Sequence, residues 1–201
     1  MGVEIERKFL VSGAFPLSEK QYKIKQGYIN PDLCTVHISN TYLMLKDKQG
    51  ACKEILYIGS TDAQSIIGHL DTDISGNITF KDESIVRIRV RGTEWFVTLK
   101  GRSCVRGTPE YEYSIPVDRA ECLLEELSDG YLSKTRYLVD YEGKTWEVDV
   151  FSNLDGLVIA EIELTDINDA IEIPAWVGTE VTGDHQYSNS NLIKKVLERK
   201  R

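Results

Sequence analysis

Apolar and polar residues alternate along most of this chain. A period of two marks strands, because successive strand side chains point to opposite faces. In residues 1–11, Val3, Ile5 and Phe9 share one face while Glu4, Glu6 and Lys8 share the other. Residues 18–29 place Tyr22, Ile24, Gln26 and Tyr28 together, and residues 84–92 set Arg87, Arg89 and Arg91 against Val86, Ile88 and Val90. Gly92 then turns the chain into 94–101, which predicts a hairpin. Strands are predicted again at 109–117, 133–143, 145–153 and 156–166. Helical spacing appears over 119–130, where Gly130 reads as the stop, and over about 190–200, whose basic end suits the helix dipole.

The stretch from about 31 to 83 is less regular. It holds short β-like pieces ("TYLML", "KEILYIG", "NITF") and a candidate helix over 61–70, punctuated by Asn, Asp and Gly. It reads as extra strands or as an inserted flap. At least seven strands, mostly hairpin-linked, predict a mainly β (α+β) chain built on an antiparallel sheet with a few helices.

Composition narrows the function classes. A length of 201 residues suits one domain or two small ones. The net charge of −8 argues against a general affinity for nucleic-acid backbones, while leaving room for a local basic site. No run of apolar residues is long enough for a membrane span, and no basic-then-apolar leader opens the chain. A cytoplasmic location is therefore the expectation. Cys34, Cys52, Cys104 and Cys122 form no CxxC pair and have no histidine at zinc-ligand spacing, so they read as free thiols. His37, His69 and His185 are scattered and receive no role.

The charges carry the chemistry. Acidic sets at strand spacing are Glu4/Glu6, Glu110/Glu112, Glu147/Asp149 and Glu161/Glu163; basic sets are Arg87/Arg89/Arg91 and Lys134/Arg136, with Lys8 and Lys100 added singly. An ordinary amphipathic sheet accounts for any one of these strands, but its wet face would mix charge with Thr, Ser, Gln and Asn. Here each strand carries largely one sign. Like charges two residues apart repel unless opposite charge lies between or across from them. Paired carboxylates favour a hard cation such as Mg²⁺ or Mn²⁺. Arginine forks and lysines favour phosphate oxygens. If the sheet closes into a barrel, these faces line a polar interior whose matching guest is a metal–polyphosphate.

At this point the residues resemble a family. "VEIERKF" resembles the ExExK signature of the CYTH superfamily, the triphosphate tunnel metalloenzymes. "KQGYI", "RIRVRG", "VTLKG", "EYEYSIP", "WEVDVF", "AEIEL" and "EVTGDHQYSNSNL" follow in the family's order over nearly the whole chain, and the last resemble its short bacterial branch. The resemblance implies a closed eight-stranded antiparallel β-barrel, a tunnel with charged interior and helices outside. It implies a single domain over residues 1–201 with an atypical insert at about 31–83. It also implies a bound triphosphate with Mg²⁺ or Mn²⁺.

By the same resemblance, Lys8, Arg87, Arg89, Lys134 and Arg136 grip phosphates, with Arg91 continuing the basic face. Glu4, Glu6, Glu110, Glu112, Asp149, Glu161 and Glu163 match acidic metal-binding strands, and Glu147 pairs with Asp149. Lys100 stands at a lysine proposed in some relatives to help activate water, and Tyr28 where some have a tunnel tyrosine, so both are catalytic candidates. Two departures stand out: Ser114 replaces a frequent third Glu, and some fifty residues separate Tyr28 from the arginine strand. The leading expectation is metal-dependent hydrolysis of inorganic tripolyphosphate. An adenylyl cyclase, a hydrolase of nucleoside or thiamine triphosphate, and a non-catalytic triphosphate sensor are the alternatives. The expected partner is a small-molecule triphosphate, with no nucleic acid or membrane; a homodimer is left open.

Overall fold

The computed structural model describes residues 2–70, 72–79, 85–101 and 108–199, with the side chains of residues 2–4 outside that description. The expectations for Phe80, Ser84, Cys104, Lys200 and the Val3 and Glu4 side chains therefore lie outside the described residues. Among the described residues the chain is mainly β, with a large antiparallel sheet, a smaller three-stranded one and three α-helices. It divides into two compact units, Met1–Val3 with Gln26–Tyr131 and Glu4–Lys25 with Leu132–Arg201.

In the first unit, strands β6 (Ile85–Arg91), β7 (Glu94–Lys100) and β8 (Thr108–Ile115) form an antiparallel meander. Gly92 takes φ +62° at the first turn, a conformation that costs a glycine little. The predicted alternation holds. Val86, Ile88, Trp95, Val97, Leu99, Tyr111 and Ile115 are buried on one face. They share a core with Ala120, Leu123, Leu124 and Leu127 of α2 (Val117–Leu127). Burying such side chains contributes about 1.5–3 kcal/mol each, so the apolar face is committed to the helices and the charged face must lie opposite.

The irregular stretch consists of strands, not a bare flap. Strands β3 (Cys34–Ile38), β4 (Tyr42–Asp47) and β5 (Cys52–Tyr57) form the smaller antiparallel sheet, followed by α1 (Gly59–His69). Val36, Ile38, Leu43, Leu45, Leu56, Ala63 and Ile66 join the same core as β6–β8.

The second unit takes in β9 (Ser128–Tyr141) from Leu132 on, β10 (Lys144–Phe151), β11 (Val158–Leu164), β1 (Gly2–Val11) from Glu4 on and β12 (Val177–Glu180), which pair in that order, all antiparallel. The apolar face gathers Phe9, Val139, Trp146, Val148, Ala160, Ile162, Leu164, Trp176 and Val177 into a second core. Trp146 lies edge-on to Trp176 at 5.8 Å and tilted to Phe9 at 5.5 Å. The last helix, α3 (Asn189–Glu198), is capped by Ser188 and buries Leu192, Ile193 and Val196.

One expected boundary is corrected. Gly130 does not stop a helix: α2 ends at Leu127, and Ser128 is already extended and begins β9. The Ser128 hydroxyl donates to Leu124 O at 2.5 Å and satisfies one of the helix's last carbonyls. Cys34, Cys52 and Cys122 are free thiols, and burial pushes the Cys34 thiol up to about 11. No helix of the described residues is long and apolar enough to cross a membrane.

Candidate functional site

In the first unit the charged face of β6–β8 is an interlocked ladder, set by register. Arg87 faces Thr98, which faces Glu112, and Lys100 faces Glu110. Arg87 Nη2 donates to Glu110 Oε1 at 2.9 Å and to Thr98 Oγ1 at 3.1 Å. Thr98 Oγ1 donates in turn to Glu112 Oε2 at 3.0 Å. Lys100 Nζ lies 2.9 Å from Glu110 Oε2, and Arg89 pairs with Glu112. Arg87 is only 5% exposed, and among the described residues its Nε finds no hydrogen-bond acceptor. A buried guanidinium N–H left without an acceptor costs free energy, and a phosphate oxygen is the acceptor its fork geometry suits. Arg91 stands apart, beside the turn, 3.8 Å from Glu94 and over the Phe96 ring at 5.0 Å. On β2 (Gln21–Ile29), the Tyr28 hydroxyl accepts from the buried Gln26 side chain at 3.2 Å.

In the second unit the charged face is buried more deeply: Lys134 is 2% exposed, Asp149 1%, Glu161 6% and Arg136 8%. Arg136 is the hub. It grips Asp149 in bidentate fashion at 2.7 and 2.6 Å, reaches Glu161 at 2.8 Å, and pairs with Glu147. Lys134 Nζ lies 2.5 Å from Asp149 and 5.3 Å from the centre of the Phe151 ring. Lys8 Nζ lies 2.9 Å from Glu161 and 3.4 Å from Glu6. Glu6 and Glu163 occupy directly opposed positions on β1 and β11, and Glu163 is exposed, with no ion pair among the described residues.

This packing perturbs the ionisations. Burial pulls against the charge of Glu161, but Lys8, Arg136 and Lys134 outweigh it and hold the carboxyl well below the usual range. Burial likewise opposes the Lys8 ammonium, and Glu161 and Glu6 outweigh it, so Lys8 is held above its ordinary value. For Lys134 burial wins over Asp149 and the pKa falls. Burial raises Glu147 despite Arg136 beside it, and Glu161, Asp149 and Glu163 add to the rise.

The structure therefore interleaves the predicted residues and does not sort them by sign. Glu110 and Glu112 sit on Arg87, Arg89 and Lys100; Glu147, Asp149 and Glu161 sit on Arg136. Among the described residues no three carboxylate, histidine or cysteine side chains are gathered as metal ligands. The donor set still suits a hard divalent cation in kind, since it consists of carboxylate oxygens on adjacent strands, with Glu6 and Glu163 facing across β1 and β11. Thr98 was missed by the sequence reading. It is fully buried and lies on the same face as Lys100, two residues away, so the alternation rule alone would have found it.

Each unit of this mainly antiparallel protein thus carries a sheet face of interleaved guanidinium, ammonium and carboxylate groups. Residues 77–196, more than half of the sequence, match the CYTH domain, and the chain belongs to that family. It is 48% identical over 121 residues to an inorganic triphosphatase of Acetivibrio thermocellus, covering 59% of this chain and 78% of that protein. It is 37% identical over 122 residues to an inorganic triphosphatase of Nitrosomonas europaea, covering 58% of this chain and 80% of that protein. The crystal structure of an inorganic triphosphatase aligns over 96% of this chain and 95% of its own, with TM-score 0.55 and 29% identity.

Proposed function

We propose that this chain is a metal-dependent triphosphatase whose substrate is inorganic tripolyphosphate. The observation that carries the reading is the burial of cations together with carboxylates on a sheet face within each unit, around Arg87 in the first and Arg136 in the second. A buried ion-pair network adds little stability over apolar packing. Its presence is better explained as a site that exchanges partners. Arg87, Arg89, Lys8, Lys134 and Arg136 turn from carboxylates to phosphate oxygens. Glu6, Asp149 and Glu161 are thereby released to hold, with Glu163, Mg²⁺ or Mn²⁺, which when bound neutralises charge developing on the phosphates. Phosphoryl transfer asks mainly for such positioning and neutralisation. Lys100 is assigned to orienting the attacking water and Tyr28 to lining the site, with Arg91 at its rim. Glu110, Glu112 and Glu147 present the arginines, and Glu4 is assigned to the metal by the family resemblance of its ExExK segment.

The same proposal includes a barrel closed from eight antiparallel strands. The pairing of the first strand, β1, with β11 supports it. It also includes one catalytic domain carrying an insert at about 31–83, working in the cytoplasm. Net charge −8 fits a small-molecule substrate better than a nucleic acid. Orthophosphate release from tripolyphosphate, ATP and thiamine triphosphate, with and without each metal, tests the reading. Fastest metal-dependent release from tripolyphosphate is expected. Cyclic AMP from ATP would replace the reading with a cyclase, and retention of tripolyphosphate without product would replace it with a sensor. Glu6→Gln is expected to abolish metal-dependent turnover, and full activity would remove Glu6 from the metal set.

A further inference from the structure

Helix α1 lies in the stretch that has no role in the proposed chemistry, yet it is fastened to the back of the first charged ladder. Tyr113 OH donates to Asp62 Oδ2 at 2.7 Å. Tyr111 OH lies 2.7 Å from Ser65 Oγ and 2.6 Å from His69 Nδ1. Three residues of α1, spaced about one turn apart, thus meet two alternate tyrosines on the core-facing side of β8. A separate contact involves β7. A Cβ built on Gly101 would stand 2.7 Å from the His69 carbonyl oxygen, so the end of α1 seats against the backbone immediately after Lys100. Gly101 adopts no left-handed φ, so what it supplies is room for the helix.

The alternation of β8 turns these contacts into a constraint on the opposite face. Tyr111 and Tyr113 point toward α1, while Glu110 and Glu112 point the other way, to Arg87, Arg89 and Lys100. Any roll of β8 about its own axis moves both sets together. Tyrosines pinned at the back therefore hold the carboxylates at the front.

We propose that α1 is a positioning element for this ladder: by fixing the roll of β8 and the end of β7, it sets where Arg87, Arg89 and Lys100 present their N–H groups. Asp62, Ser65, His69, Tyr111, Tyr113 and Gly101 are its positioning residues. The inference rests on those cations being phosphate-gripping groups. It gives the irregular stretch a task as a brace behind the site, distinct from a lid over it.

Metal-free tripolyphosphate affinity by titration calorimetry is the first readout, beside KM and kcat. Loss of both phenol hydroxyls in Tyr111→Phe/Tyr113→Phe is expected to weaken binding about tenfold, the scale of one to two net hydrogen bonds. Asp62→Leu and Gly101→Ala are expected to weaken it in the same direction. Asp62→Asn keeps an acceptor for Tyr113 and is expected to stay near wild type. Val36→Ala, in the same core on β3, is the stability control, lowering the melting temperature without moving affinity or KM. Wild-type affinity in the double phenylalanine variant, or equal weakening in Val36→Ala, would overturn the inference. If the wild-type protein itself binds no tripolyphosphate, the functional reading fails, and the brace is judged by hydrogen exchange alone. Faster exchange at Glu110 and Glu112 in the double variant, but not in Val36→Ala, supports the brace; unchanged exchange sinks it.

Discussion

Replacing Arg136 with Leu tests the second charged network most directly. The guanidinium contacts three carboxylates, Asp149, Glu147 and Glu161, whose side chains are 1%, 22% and 8% exposed. Among the described residues Leu leaves Asp149 with Lys134 and Glu161 with Lys8, both carboxylates lying where water scarcely reaches, and Glu147 with neither lysine. Removing one partner of a buried ion pair costs about 3–5 kcal/mol, because the surviving charge stays desolvated. For a chain of this length that corresponds to a fall in melting temperature of about 6–20 °C. The loss should be partly recovered by Mn²⁺ or Mg²⁺, since a divalent cation can take the guanidinium's place among the carboxylates and stabilises whichever state binds it. Urea denaturation with and without each metal measures both effects. A loss below about 1 kcal/mol, the range of exposed pairs, would show that Arg136 is not the hub of this network. A full loss with no recovery by metal would leave the hub in place but remove those carboxylates from the metal set.

Other substitutions probe separate features. Arg87→Lys removes the Nη2 that donates to both Thr98 and Glu110 and the buried Nε, so the KM for tripolyphosphate should rise about tenfold or more, measured by steady-state phosphate release. Gly27→Ala would place a Cβ 2.5 Å from Leu124 Cδ1 and 2.8 Å from Gly130 O; overpacking should cost about 1–3 kcal/mol in urea melts, and a neutral result would mean that β2 yields there. The pH dependence follows from Glu161 and Lys8. Glu161 has a depressed folded pKa, so its contribution to stability is complete above the unfolded value of about 4.3 and is lost as pH falls toward the folded one. Lys8 has a raised folded pKa, so its contribution is complete below about 10.4 and is lost only as pH rises beyond that. Urea midpoints should therefore fall below about pH 4, and Glu161→Gln should flatten that acid limb.

The strands and the charge sets were legible in the chain because alternation is a local consequence of backbone geometry. Val86, Ile88 and Val90 against Arg87, Arg89 and Arg91 required no knowledge of any other strand. The same was true of Glu147 and Asp149 against Trp146 and Val148. Membership of the CYTH family was legible for the same reason, since its segments are short and locally spaced. What the sequence left open was which charge meets which. Arg136 takes its partners from β10 and β11, and Thr98 joins a strand of arginines to a strand of glutamates, through registers set by pairing between distant parts of the chain. Gly130 misled because the local signal of a helix stop was overridden by residues 128–131 entering β9. The attachment of α1 to Tyr111 and Tyr113 could not be read at all, since the phenols lie more than forty residues from their partners. Periodicity assigns a side chain to a face; only tertiary packing decides what stands across from it, because that depends on register and burial summed over the whole fold.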